Sequence, residues 1–138
     1  MRTLTVVLGL LVLTGCSTDP VTKLTAGAVP DSRQYDQALL KRKSSDQAEV
    51  SFLRDSGFLG SACTHDIYVD GTKAFSVRQG EGMSVFVDPG EHVFRLETGG
   101  GACPNVATSQ ETNLKPGADV IYRILIPSDL SLRLTRIK

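Results

Sequence analysis

From Ala48 onward the apolar residues recur at every second position, and this period limits what the chain can fold into. Successive side chains of a strand point to opposite faces, so strict alternation marks a strand with one buried face. Ala48, Val50 and Phe52 alternate with Glu49 and Ser51, and Ile67 and Val69 alternate with Asp66, Tyr68 and Asp70. Met83, Val85 and Val87 continue the pattern, and His92, Phe94 and Leu96 share one face of 91–98. Residues 106–112 predict a weaker strand. VIYRILI at 120–126 is apolar almost throughout and predicts a central strand covered on both faces. LSLRLTRI at 130–137 alternates strictly, with Leu130, Leu132 and Leu134 inward and Ser131, Arg133 and Thr135 outward.

Turn chemistry separates these segments. Asp70-Gly71 stands between HDIYV and TKAFSV, and Asp-Gly between alternating strands predicts a tight hairpin, because both residues tolerate positive φ. Asp88-Pro89-Gly90, Lys115-Pro116-Gly117 and Pro127-Ser128-Asp129 are further turns, and GGGACP at 99–104 is a loop. No long helical pattern follows residue 47. The layout predicts an all-β fold over 48–138, a small antiparallel β-sandwich of about 7–8 strands, with a small barrel as the alternative.

The N-terminal part differs. MRTLTVVLGLLVLTG at 1–15 carries Arg2 and an uncharged apolar run from Leu4 to Leu13. A run this short cannot cross about 30 Å of hydrocarbon, which takes about 20 residues. A basic start, a short apolar middle and a small-residue exit are the layout of a secretory signal peptide. A buried N-terminal helix of a soluble domain is the alternative. The exit Leu13-Thr14-Gly15-Cys16 resembles the lipobox of bacterial lipoproteins. The resemblance implies that the Cys16 thiol receives diacylglycerol, that cleavage removes 1–15, and that the new amino terminus is acylated, for example with palmitate. Several acyl chains hold a protein firmly where one holds weakly. Ser17 stands where the family's inner-membrane retention signal has Asp, which implies the outer membrane, periplasmic leaflet, with surface display open. Residues 16–47, with STDPVTKLTAGAVPDSRQ, Pro20 and Pro30, read as a lipidated terminus and flexible tether. Within them 33–43, RQYDQALLKRK, predicts a short helix capped by Ser32 or Asp31.

The precursor has 15 basic and 15 acidic residues; loss of Arg2 with 1–15 leaves 14 against 15. So neutral a chain lacks the basic footprint of a nucleic-acid binder. With Cys16 committed to lipid, Cys63 and Cys103 remain. Exported chains live where disulfides persist, so these two most simply pair. A bridge between them closes a loop of about 41 residues, worth about 4 kcal/mol in the chain-entropy model.

The succession VSFLRDSGFLGSACTHDIYVDG, SVFVDPGEHVFRLET and LKPGADVIYRIL is similar to bacterial lipoproteins with a domain of unknown function, in the style of PEGA-type β-sandwiches. The residues that carry the resemblance are Arg54-Asp55-Ser56-Gly57-Phe58, Val69-Asp70-Gly71, Pro89-Gly90-Glu91-His92, and Pro116-Gly117 with Tyr122. They span roughly 48–126. They imply a fold and bring no catalytic residue or cofactor; Cys63, Cys103 and GGGACP lie outside the pattern.

Four constellations could carry chemistry. Cys63, His65 and Asp66 could form a thiolate nucleophile with its base, provided that Cys63 is not bridged. Cys63, His65, His92 and Cys103 could supply a zinc set, without the paired spacing of known sites. Gly80-Glu81-Gly82 and Gly99-Gly100-Gly101 could cradle phosphate only ahead of a helix, and strands follow. Tyr68 and Phe86 have outward parity and could join a glycan contact, although the chain has no Trp. The reading that follows is a membrane-anchored envelope protein without catalytic residues, metal or cofactor. It is a structural or interaction module with an envelope protein or glycan as partner; the alternatives are a module that binds a glycan or another envelope ligand and, last, a zinc- or thiol-dependent envelope enzyme.

Overall fold

A computed structural model describes residues 18–57, 60–99, 103–126 and 131–138. The chain is all-β. Its strands are β1 (Gly27–Ala28), β2 (Ala48–Arg54), β3 (Thr64–Val69), β4 (Thr72–Val77), β5 (Glu81–Val87), β6 (Gly90–Gly99), β7 (Ala107–Leu114), β8 (Asp119–Leu125) and β9 (Arg133–Arg136). They form a five-stranded sheet, β1-β5-β2-β8-β9, facing a four-stranded sheet, β4-β3-β6-β7. The β-sandwich predicted from the alternation is the fold observed, and β2 through β9 fall on the eight predicted strands.

The alternation also sets which side chains meet between the sheets. Ala48, Val50 and Phe52 of β2, Ile67 of β3, Val85 of β5, Phe94 and Leu96 of β6 and Ile124 of β8 are wholly buried. Phe52 is the centre of an aromatic cluster. Its ring meets Phe75 and Phe94 edge-on at 5.9 and 5.5 Å and stacks on Tyr122 at 5.6 Å. Such pairs add to the area that they bury. The Asp70-Gly71 hairpin forms as predicted, with φ of 49° and 85° at the two turn residues.

Two features depart from the expectation. The first sheet is mixed: β2 pairs antiparallel with β5 but parallel with β8, Val50 beside Val120 and Phe52 beside Tyr122. Parallel neighbours need a long crossover, and here the whole second sheet lies between β2 and β8 in the chain.

The second departure is the tether. Residues 18–47 are laid on the sandwich as a strap. Asp19 and Ser56 exchange backbone hydrogen bonds of 2.8 and 3.0 Å. Val21 and Val29 are buried. β1 pairs parallel with β5, and the Tyr35 and Asp36 N–H groups donate to Ala74 O on β4. The strap thus covers the two neighbouring sheet edges, β5 and β4, whose open backbone groups would otherwise invite foreign strands. Arg33 crosses between them, with a two-pronged pair to Glu81 at 2.6 Å for each contact and a 3.1 Å bond to Ser76 O. Composition argues that this segment cannot fold alone; it folds because the sheet edges supply what it lacks. The helix predicted at 33–43 is absent. A short 3-10 turn spans Asp31–Arg33, and Asp36 Oδ1 instead accepts the Ala38 N–H at 2.9 Å. Side-chain bonds of this kind compete with helix formation.

Candidate functional site

Strand directions divide the sandwich into two unlike ends. β2, β4, β6 and β8 end, and β3, β5, β7 and β9 begin, at one end of the sandwich, where the strap also enters at Asp19. The turns at 70–71, 88–89 and 115–118 lie at the other.

At the first end the sulfurs of Cys63 and Cys103 stand 2.06 Å apart, a disulfide distance, with a Cα separation of 5.8 Å. Cys63 immediately precedes β3 and Cys103 follows β6, which are paired neighbours with Thr64 opposite Gly99. The bridge therefore staples two loops whose strands already lie side by side. Beside it opens a cleft of about 290 Å³, lined by Pro104, Val106, Ile126 and Leu132 with the two half-cystines among its walls. Its lining is mostly apolar, with Ser61 and Thr98 as polar members, so it offers a ligand burial of hydrocarbon with few hydrogen bonds to fix an orientation.

Close to this end lies a group of buried polar residues. The period of β2 continues past Phe52 and carries Arg54 inward, 1 % exposed, where its Nη1 donates to Asp55 O at 2.8 Å. Asp55, 2 % exposed, accepts the Val21 N–H at 3.1 Å and faces Arg123 Nε at 3.4 Å. These contacts fasten the strap to the end of β2. On β3, His65 is 0 % exposed and neither ring nitrogen has a hydrogen-bond partner among the described residues. Burial first, and then the Arg54 charge, lower its pKa to about 4 against the opposing charge of Asp66.

The opposite end is polar. His92 Nδ1 lies 2.7 Å from Asp70 Oδ2, and Nε2 lies 2.7 Å from Asp88 O. The imidazole joins the β3–β4 turn to the β5–β6 turn, and Asp70 Oδ1 also accepts the Val93 N–H at 2.8 Å. Asp36, Lys43, Gln47 and Asp88 line a shallow depression beside it.

The residues singled out from sequence are distributed as follows. Cys16 lies outside the described residues, as do Gly100, Gly101 and Ala102 of GGGACP, Leu130 and Pro127-Ser128-Asp129. His65 points into the core, while Asp66 turns outward to Ser76 and, at 2.9 Å, to Lys73. Successive strand residues take opposite faces, so the two cannot serve one nucleophile. His65 pairs across the sheet with Thr98, six residues along β6 from His92. At about 3.4 Å per residue that puts the two imidazoles on the order of 20 Å apart, and no metal-binding group of three or more such residues occurs among the described residues. Gly80-Glu81-Gly82 runs into β5, a strand. Tyr68 and Phe86 face outward as predicted, but an arginine sits over each ring: Arg95 at 5.7 Å and Arg42 at 4.8 Å.

Sequence reading missed Arg54, Asp55 and Arg123 as a cluster and the cleft residues as a group. The parity of Arg54 with Val50 and Phe52 was a visible signal for one of them. The cleft joins loops far apart in the chain, and no local pattern marks it.

No family model matches the chain, and no curated protein matches it.

Proposed function

We propose that this chain is a lipid-anchored protein of the bacterial cell envelope, a structural or interaction module rather than an enzyme. One observation carries the proposal: Leu13-Thr14-Gly15-Cys16 directly behind an uncharged apolar run. The cysteine pair at disulfide distance supports it, because such pairs persist in the oxidising compartments that exported chains reach. The turn and strand residues shared with PEGA-like lipoprotein domains support the same reading, and Ser17 favours the outer membrane, facing the periplasm. The membrane is then the first partner, held through Cys16, and an envelope protein or glycan the second.

The reading without a reaction is supported by the sulfur of Cys63, which is engaged with Cys103, and by the opposed faces of His65 and Asp66. Replacement Cys16→Ala tests the anchor. It is expected to abolish labelling by radioactive palmitate and to leave the uncleaved precursor, whereas label that persists on the variant overturns the proposal.

A further inference from the structure

The strap fixes how far the folded body can stand from its anchor. Asp19 is bound through both backbone groups to Ser56 at the end of β2. Between Cys16 and Asp19 there are three peptide steps, and a fully extended chain covers about 3.3–3.6 Å per residue, so Asp19 lies within about 11 Å of Cys16. A bilayer has about 30 Å of hydrocarbon within about 40–45 Å overall, which leaves roughly 5–8 Å of headgroup layer on each side. With its acyl chains in the hydrocarbon, Cys16 sits at the base of that layer. Asp19 and Ser56 can then clear the headgroups only barely.

The end of the sandwich that carries Ser56 is also the end that carries the apolar cleft. Cys63, Cys103, Pro104, Val106, Ile126 and Leu132 line it, and Val106 is 38 % exposed. The far end presents Asp36, Lys43, Asp70, Asp88 and His92 instead. Leu39 and Phe86 line that far depression too, so it is mixed, whereas the cleft beside the chain that leads to Cys16 is mostly apolar, with Ser61 and Thr98 as its polar members.

We propose that the cleft end of the sandwich is a membrane-docking surface, seated on the lipid of the bilayer that holds Cys16. The inference rests on the anchor reading and adds an orientation to it: strands upright on the membrane, disulfide end down, His92 end toward the aqueous space. A tether of 32 residues would allow no such conclusion. The strap removes the slack, and an exposed apolar cleft held at the headgroup layer gains by turning toward hydrocarbon.

The absence of Trp from the chain supplies the test. The full lipidated protein carrying Val106→Trp is placed in phosphatidylcholine vesicles whose acyl chains bear bromine, a contact quencher. Val93→Trp is the control: Val93 is 40 % exposed and lies five residues along β6 from Thr98, which bonds Val106. That is about 17 Å away along the strand. Pro104→Trp, on the exposed loop beside the cleft, is a second probe should Val106→Trp fold poorly. Apolar faces at an interface sink about 5–10 Å into the boundary, so emission from the cleft probes is expected to fall by about half relative to unbrominated vesicles, with the control unchanged. Protein that floats with the vesicles while its cleft probes stay unquenched, or while cleft and control quench alike, overturns the docking surface and leaves the anchor standing. Protein that does not float with the vesicles overturns both.

Discussion

His65 occupies a fully buried position with no hydrogen-bond partner among the described residues, next to the charge of Arg54. An unpaired buried polar group costs about 1–3 kcal/mol, whereas an apolar side chain of similar size there costs little. Its pKa falls from 6.5 in the unfolded chain to about 4 in the fold. Between these values the unfolded chain takes up a proton that the folded one refuses, so stability is full above pH 6.5 and declines as pH drops toward 4. At 1.36 kcal/mol per pH unit the wild-type loss between pH 6.5 and 5 is about 2 kcal/mol. His65→Leu is expected to raise stability at pH 7 by about 1 kcal/mol and to remove that acid-sensitive component. Urea unfolding of both proteins at pH 7 and 5 checks this; an equal loss in the variant would show that other groups carry the pH dependence. The parity of His65 with Ile67 and Val69 predicts a partly buried imidazole with a local partner; the fold buries it fully and gives it no partner among the described residues. The sequence could not show that no acceptor would face it, because that depends on β6 and on the far sheet.

At the scale of elements, the strands were legible because each needs only its own alternation and its turns. The pairing of β2 with β8 was not, since a parallel neighbour carries no turn between the two strands to announce it. The cysteine bridge falls between these cases: its partners were identifiable by elimination, its location only in the fold. It closes a loop with a sequence separation of 40 across the ends of β3 and β6. The chain-entropy model values such a closure at about 4 kcal/mol, and the ladder between β3 and β6 already aligns the ends it joins. Reduction with dithiothreitol is expected to cost about 2–4 kcal/mol, read as a lower urea midpoint with the β-sheet circular dichroism retained. Two free thiols in the denatured, unreduced protein, or an unchanged midpoint, would contradict it.

The whole molecule depends on the strap. Val21 and Val29 contribute burial of roughly 1.5–3 kcal/mol each as upper bounds, and Arg33, half-buried between β4 and β5, closes the side of the sandwich with Glu81. Deleting 18–35 is expected to lower the thermal midpoint by on the order of 10 °C, at a few degrees per kcal/mol. The same deletion uncovers the β5 and β4 edges and should promote association, visible in light scattering. A true tether could be deleted with no change in either measurement.

By itself the sequence determined the period of two, the turn positions, the tight hairpin at Asp70-Gly71 and the cysteine that stands behind an apolar run, because each is written in neighbouring residues. Only the tertiary structure decided that the segment after that cysteine would be strapped down, that Arg54, Asp55 and Arg123 would meet beneath it, and that an apolar cleft would open at the same end. Those outcomes depend on which sheet edges and loops come together across the sandwich, and contacts between residues tens of positions apart leave no local pattern to read.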